Sequence, residues 1–191
     1  DIAKDMEAWI PKIRAHLEYM SDIITTVKGQ AVASLSTDDS EEFTISELVK
    51  RVNILMKHEL KNAYIYLNIL MKVDENTVID GNVNVLVQVV NNIISNAIQA
   101  YDGKHDQNLQ FEISQKENNM IFSITDFAGG LSKEVQDRLF KEMVTTKGKN
   151  GTGLGLYMSY SNIKAHFGGD ITYKTEEGKG TTFNIVIPIK K

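Results

Sequence analysis

The sequence predicts an α+β protein in which one long N-terminal helix precedes a domain of mixed helices and strands. Three observations indicate this class. Apolar residues recur every three or four positions over residues 6–34, and residues 82–101 carry a denser helical pattern. Residues 109–126 and 170–189 each alternate apolar and polar residues around a polar turn, which is typical of paired strands. The chain is therefore long enough for one such domain and an appended helix.

Composition excludes several classes of function. The net charge is −4 and no dense Lys/Arg cluster is present, so we expect no nucleic-acid partner. The sequence has no cysteine, which excludes disulfides, zinc–thiolate sites and thiol nucleophiles. No apolar stretch reaches the roughly 18 residues that a transmembrane helix needs. We therefore expect a cytoplasmic fragment that makes no membrane contact, although its parent protein can be membrane-anchored.

The pattern over residues 6–34 is a heptad seam, because its steps alternate between three and four. A helix of this length requires partners along its seam, so we interpret it as a homodimerisation or bundle helix. Packing of a terminal helix on its own domain is the alternative. Together with a polar linker at residues 35–42, this helix makes up the first predicted domain, residues 1–42. The seam consists of Ile10, Ile13, Leu17, Met20, Ile24, Val27 and Ala31.

The second predicted domain, residues 43–191, begins with a helix that ends near Lys61. Thr44 or Ser46 is expected to cap this helix, with Glu47 completing a capping box. The rest of the pattern predicts strands over residues 64–70, 78–79, 109–115, 120–126, 170–175 and 181–189, and helices over residues 82–101, 133–140 and 153–167.

Polar residues interrupt this pattern at two places. Asn92 and Asn96 lie four residues apart on the apolar helix 82–101, hence on one face, although asparagine is a poor helix former. Asp126 ends a strand just before Gly129 and Gly130, which can place one acceptor against a ligand. A solvated helix stripe and a plain turn are the simpler alternatives.

A glycine run over residues 148–156 leads into the helix at 153–167. Glycine lets a ligand approach the backbone closely, and a helix N-terminus offers unpaired N–H groups and the positive end of the dipole. This combination suits a phosphate group. A flexible surface loop has the same composition, so the run alone does not decide between the two.

Four motifs occur in a fixed order: Asn92-x-x-x-Asn96-Ala97, Asp126-x-x-x-Gly130-Leu131, Gly151-x-Gly153-x-Gly155-Leu156 and Gly178-x-Gly180-Thr181-x-Phe183. Their order and spacing resemble the ATP-binding catalytic domain of sensor histidine kinases, in the superfamily shared with gyrase, Hsp90 and MutL. Phe140 followed by Thr145-Thr146-Lys147 resembles the phenylalanine box of that family. The resemblance covers about residues 43–191.

The resemblance implies a two-layer α/β sandwich, in which a mixed sheet carries helices on one face. It implies that Asp126 accepts from the adenine amino group, that Thr181 supports Asp126 through water, and that Asn92 coordinates Mg²⁺ with Asn96 beside it. A mobile lid is implied over about residues 142–150. The remaining ATP-binding residues that it implies are Gly130, Leu131, Thr146, Lys147, Gly151, Thr152, Gly153, Leu154, Gly155 and Leu156.

The implied activity is transfer of the ATP γ-phosphoryl group to a histidine, with a response-regulator receiver domain as a partner. Gyrase-like hydrolases carry a glutamate base where Asn92 stands, and asparagine cannot act as that base. The resemblance therefore favours a kinase over an ATPase. The chain departs from the family at Ala128, which replaces a glycine and restricts the loop, and at Gln99, which replaces a basic residue. The lid is also short.

His58 begins the segment His-Glu-Leu-Lys-Asn, which looks like a phosphoacceptor motif. It lies only 34 residues before Asn92, within the first helix that the fold needs, so we interpret it as a surface histidine. The helix at 6–34 then looks like the second helix of a dimerisation hairpin whose first helix, with the acceptor, is absent. We expect the chain to bind Mg-ATP without phosphorylating itself.

Two other functions fit the motifs less well. A serine/threonine kinase of the anti-sigma-factor type belongs to the same superfamily, but such proteins are compact and lack a long heptad helix. A non-catalytic scaffold that binds nucleotide or a partner is the second alternative. The intact set of Asn92, Asp126 and the glycine run makes the scaffold the weaker prediction.

Overall fold

The computed structural model describes residues 42–140 and 154–189. The predicted helix at 6–34, the predicted lid at 142–150 and most of the glycine run lie outside these residues. The described elements are β1 Glu42–Thr44, α1 Ile45–Ala63, β2 Ile65–Met71, β3 Val78–Asp80, α2 Val83–Ala100, β4 Gln107–Lys116, β5 Asn119–Asp126, α3 Lys133–Arg138, α4 Leu154–Phe167, β6 Asp170–Glu176 and β7 Gly180–Pro188.

The main sheet of the described part has five strands in the order β2-β4-β5-β7-β6. β2 pairs parallel to β4, and every other neighbouring pair is antiparallel. A parallel pair needs a long crossover, which α2 supplies between β2 and β4. β1 and β3 form a separate two-stranded sheet beside the start of α1. The predicted mixed sheet is confirmed.

The helices cover one face of this sheet. Alternate residues of the central strands, such as Phe111, Phe122 and Ile185, are fully buried beneath the helices. α2 contacts β4 and β5 and packs against both α1 and α4, and α4 contacts β7. The opposite face is polar and only half-buried, and cross-strand hydrogen bonds such as Ser123–Asn184 (2.7 Å) pair its side chains. This arrangement confirms the two-layer sandwich. Within the described ranges, no helix has the length and apolarity to cross a bilayer.

Two boundaries differ from the prediction near the start of the domain. Tyr64 was expected in a strand, but it is the left-handed C-cap of α1 (φ 55°), so β2 begins one residue later. β1 was not predicted because three residues, Glu42 to Thr44, carry too little alternation to register as a strand. Glu42 was assigned to the linker and instead pairs with Asp80.

Capping of α1 follows half of the predicted pattern. Thr44 is the N-cap, and its hydroxyl accepts a hydrogen bond from the backbone N–H of Glu47 at 3.2 Å. The Glu47 carboxylate turns away and binds Arg51 at 2.7 Å, so the reciprocal bond of a capping box is replaced by an ion pair.

Candidate functional site

The candidate site begins with a polar row at one end of the sheet. Asp126 on β5 is in register with Thr181 on β7, and Thr181 is in register with Thr175 on β6. The next row on the same face is apolar, with Ile124, Phe183 and Tyr173 in register. The sheet therefore changes from apolar to polar on its helix-covered face within one step, at the strand ends where Asp126 was predicted to meet a ligand.

Asp126 is only 5% exposed. Its carboxylate accepts hydrogen bonds from the backbone N–H groups of Ala128, at 3.0 Å, and Thr181. Burial raises the pKa of Asp126 above the ordinary carboxyl value, and the two backbone hydrogen bonds oppose this rise. The result is a fixed acceptor in a poorly solvated place, which gives a hydrogen bond to it more weight than one made in water.

The loop after Asp126 reaches its position through two glycines. Gly129 (φ 124°) and Gly130 (φ 81°) have backbone conformations that favour glycine. A Cβ on Gly130 would also lie 2.5 Å from the backbone oxygen of Glu176. Ala128 does not have a positive φ, so its departure from the family pattern imposes no strain of that kind on the loop.

Tyr101 supports the same loop and was not predicted. Its ring is 1% exposed at the end of α2, and its hydroxyl donates to the backbone oxygen of Asn108 (2.6 Å) and accepts from the N–H of Phe127 (2.8 Å). Burial raises the pKa of Tyr101, the bond from Phe127 lowers it, and the nearby Asp126 charge raises it further. The sequence signalled only a tyrosine closing an apolar helix, which is the pattern of an ordinary core residue.

Asn92 and α4 form the other end of the site. Asn92 donates through Nδ2 to the hydroxyl of Ser159, at 2.9 Å. Gly155 lies against the same amide, since a Cβ there would be 2.6 Å from Asn92 Oδ1 and 2.8 Å from Nδ2. The missing side chain at Gly155 therefore leaves a space that the Asn92 amide fills. Ser159 was not predicted, and its only sequence signal is its place one turn after Gly155.

Asn96 lies one turn after Asn92 on the same face of α2 and is half-buried. Within residues 42–140 and 154–189 its side chain has no hydrogen-bond partner. α4 begins at Leu154, so its N-terminus, the positive end of its dipole, lies beside Asn92. An anion next to Asn92 would therefore meet the N-terminus of α4 and the side-chain amide of Asn96.

Nine of the fourteen predicted site residues lie in the described ranges, and five lie outside them. Leu156 and Leu131 pack against the core beside the site, and Gly155 and Gly130 make the close approaches described above. Asn92 and Asn96 lie on α2, Asp126 lies on β5 and Thr181 lies on β7. Leu154 is placed at the first residue of α4 by its backbone. Thr146, Lys147, Gly151, Thr152 and Gly153 lie outside the described residues.

Phe140 is the last residue of the first described range. The helix predicted to include it ends at Arg138. Phe140 has φ 62°, outside the helical region, and stacks on Tyr160 of α4 with ring centroids 5.2 Å apart. Tyr173 and Phe183 contact the other sides of its ring, at 6.1 and 6.4 Å between centroids. Phe140 is thus held by aromatic contacts two residues before the segment predicted to be the lid.

His58 is exposed on α1. α1 packs on the flank of α2 that is defined by the hydrogen bonds Arg51–Asn84 (2.7 Å) and Ser95–Glu59 (2.8 Å), whereas Asn92 faces α4. His58 therefore lies on the far side of α2 from the candidate site. This placement agrees with the interpretation of His58 as a surface histidine.

A divalent cation fits this site only with help from a ligand. The described ranges hold no group of three or more His, Cys, Asp or Glu residues that could bind a metal. Asn92 offers a single amide oxygen held in place by Ser159. Mg²⁺ takes few protein oxygens and keeps waters or phosphate oxygens for its other positions. The residues present therefore fit Mg²⁺ that arrives with a phosphate-bearing ligand.

Comparison with known proteins places these features in a family. Residues 81–191 match the family described as histidine kinase-, DNA gyrase B- and HSP90-like ATPase. Sporulation kinase C of Bacillus subtilis (strain 168) is 28% identical over 171 residues, which cover 90% of this chain and 38% of that protein. Sensor histidine kinase WalK of the same organism is 35% identical over 112 residues, covering 56% of this chain and 18% of that protein. The chain thus spans well under half the length of these relatives.

Solved structures show the same fold. The catalytic domain of histidine kinase ThkA has a TM-score of 0.68 at 24% identity, covering 78% of this chain and 95% of the other. The Acinetobacter baumannii histidine kinase AdeS has a TM-score of 0.67 at 23% identity, covering 92% of this chain and 81% of the other. At these identities the comparison supports the architecture and does not by itself assign an activity.

Proposed function

This chain belongs to the family of histidine kinase-, DNA gyrase B- and HSP90-like ATPases, whose fold binds ATP, and we propose that it is the catalytic part of a sensor histidine kinase. In this proposal it transfers the γ-phosphoryl group of ATP to a histidine on a dimerisation helix outside this fragment. The partners that we propose are a second copy, through residues 6–34, and a response-regulator receiver domain.

One observation carries the choice of a kinase within this family. The similarity to sporulation kinase C runs over 171 residues, whereas the ATPase match covers residues 81–191 alone. The similarity therefore extends beyond the ATPase module into the segment before it, where the heptad seam lies. A compact anti-sigma-factor kinase has no counterpart to that segment.

The site residues support specific roles. Asp126 provides an acceptor for the adenine amino group, and Thr181 lies beside it in register. The N-terminus of α4 lies beside Asn92 and would receive the phosphates, and the Asn92 amide oxygen would hold Mg²⁺, which would neutralise phosphate charge. Because phosphoryl transfer depends mainly on positioning and charge, an asparagine at position 92, which cannot activate water as a base, suits a kinase that waits for its acceptor.

Phosphoryl transfer by this chain can be tested with γ-labelled ATP. The parent protein carrying Asp126→Asn, with its own acceptor histidine intact, serves as the substrate, and this chain serves as the kinase. We expect the chain alone to bind Mg-ATP without becoming labelled, and the inactive parent to gain an acid-labile, base-stable label when the chain is added.

Three outcomes contradict this proposal. Acid-stable label on serine or threonine indicates the anti-sigma-factor type of kinase. No increase in melting temperature with Mg-ATP indicates a scaffold. Acid-labile label on the chain itself that is lost in His58→Gln, but kept in the matched variant His166→Gln, makes His58 the acceptor; both histidines are exposed on helices.

Gly155→Ala is expected to separate Mg²⁺ coordination from nucleotide binding. The added Cβ would lie 2.6 Å from Asn92 Oδ1, so the Asn92 amide would have to move. Moving a metal ligand or its support lowers metal affinity by about tenfold. Alanine is a better helix former than glycine by about 1 kcal/mol, so the nucleotide-free protein should remain folded. ATP affinity measured in Mg²⁺ should fall, and affinity measured in EDTA should stay the same. Equal losses in both buffers would show that Gly155 acts on the phosphates and not on Asn92.

A further inference from the structure

Thr175 lies in the polar row but belongs to none of the motifs. It lies on β6, beside Thr181 on β7. Asp126 lies on β5, on the other side of Thr181. Its hydroxyl contacts three groups: the backbone N–H of Leu131 at 2.8 Å, the backbone oxygen of Gly180 at 3.2 Å and the hydroxyl of Thr181 at 3.0 Å. Leu131 belongs to the loop after β5, and Gly180 and Thr181 are the first two residues of β7. The Thr175 side chain thus joins its own strand β6 to this loop and to the start of β7.

The hydrogen-bonding capacity of a hydroxyl fixes the directions of these contacts. A hydroxyl has one proton to donate and two lone pairs to accept with. The Leu131 N–H can only donate, and the Gly180 carbonyl can only accept, so Thr175 gives its proton to Gly180. The contact with Thr181 must then use the second lone pair of Thr175. Thr181 is therefore the donor in that contact, and its own lone pairs remain available.

We propose that Thr175 is a positioning residue that holds Thr181 as an acceptor and thereby contributes to a preference for adenine over guanine. Thr181 and Asp126 are directly paired across β7 and β5, so two acceptors stand together. Adenine carries an amino donor where guanine carries a carbonyl acceptor. Two acceptors match the amino group, directly or through a water, and repel the carbonyl. The inference rests on the proposed placement of adenine at Asp126.

Three variants test this role. Thr175→Val keeps the shape and removes the hydroxyl, Thr175→Ser keeps the hydroxyl, and Thr172→Val makes the same change on the exposed face of β6. The affinities for ATP and GTP are measured by displacement of a fluorescent ATP analogue. One neutral hydrogen bond corresponds to roughly a three- to tenfold change in affinity. We expect Thr175→Val to lose that much ATP affinity, with GTP affinity unchanged or raised because Thr181 can then donate to the guanine carbonyl, and we expect Thr175→Ser and Thr172→Val to keep the wild-type ratio.

Two results overturn the inference: an ATP affinity of Thr175→Val equal to that of wild type, or an equal loss for ATP and GTP. The melting temperature without nucleotide checks that Thr175→Val is folded. If it is not, Thr175→Ala and the hydrogen-exchange rate of the Leu131 amide replace it, since loss of the hydroxyl must speed that exchange. The variant Asp126→Asn distinguishes failure of the inference about Thr175 from failure of the proposed function. Unchanged ATP affinity in Asp126→Asn means that adenine does not bind there at all.

Discussion

Replacing Asp126 by asparagine is expected to weaken ATP binding by about 10- to 100-fold, because a hydrogen bond to a charged group contributes about 1.5–3 kcal/mol. The carboxylate is buried and held by the backbone N–H groups of Ala128 and Thr181. Water therefore cannot readily take its place as the hydrogen-bond acceptor. An asparagine side chain retains one acceptor but introduces an amide that faces the adenine amino group donor to donor. Isothermal titration with Mg-ATP measures the loss.

Asp80→Asn is the matched control, because Asp80 is exposed on β3 and the same change there removes one charge far from the site. It should leave ATP affinity unchanged. An Asp126→Asn protein that binds ATP as tightly as Asp80→Asn would show that the adenine site is misplaced.

The pKa of Asp126 adds a pH dependence with a defined sign. Burial raises this pKa, so protonation of the folded protein begins at a higher pH than for an ordinary carboxyl group. ATP affinity should therefore fall as pH falls through the raised pKa, and the fall should be absent in Asp126→Asn. A raised folded-state pKa favours folding at low pH, and this contribution is lost as pH rises through the folded value. At neutral pH the nucleotide-free asparagine variant should thus be at least as stable as wild type, which separates lost binding from lost folding.

Replacing Gly180 by alanine is expected to destabilise the protein by about 3 kcal/mol, in the range of overpacked or strained positions. Gly180 has φ 155°, and a Cβ there would overlap the backbone oxygen of Asp126 and lie 2.8 Å from the Cα of Phe127. Both neighbours are backbone, so relief requires β5 and β7 to move apart at the polar row. For a protein of this size, 3 kcal/mol lowers the melting temperature by roughly 10 °C.

Gly178→Ala is the control for backbone strain alone. Gly178 has φ 80° in the same turn, but a Cβ there meets nothing within 4 Å in the described part of the chain. It should cost about 1–2 kcal/mol from the left-handed conformation. Circular dichroism melts without nucleotide compare the two variants, and an equal loss in both would mean that the contact with Asp126 has no energetic weight.

The elements that the sequence predicted well are those with long, regular patterns. α2 is buried on most of its sides, and the strands of the β4–β5 hairpin are buried on one face, in each case over eight or more residues. Periodicity alone therefore locates these elements. Tyr64 was misassigned because tyrosine favours strands, whereas the reversal of the chain after α1 requires a left-handed residue there. The conformation that the fold requires at this position therefore outweighs the strand preference of tyrosine.

The residues of the candidate site likewise fall into those that a sequence motif reveals and those that it does not. Asp126 and Asn92 were predicted because they stand in ordered motifs; the structure pairs Asp126 with Thr181 and hydrogen-bonds Asn92 to Ser159, and their roles in ATP binding stay predictions. Ser159 and Tyr101 were missed because their roles depend on contacts that no local pattern encodes; Asn92 and Ser159 are 67 residues apart. The residues from 141 to 153 stay predictions.

The pairing of β5 with β7 has a consequence for how the protein folds. Thr125 and Thr182, which meet across this pair, are 57 residues apart in the chain. Such distant contacts form slowly because a large loop must close before they contribute stability, whereas the β4–β5 and β6–β7 hairpins close locally. The row containing Asp126 is therefore completed late, after its hairpins exist. In the proposed site, ATP binds only the completed row, so we expect it to slow unfolding and to leave the rate of refolding unchanged.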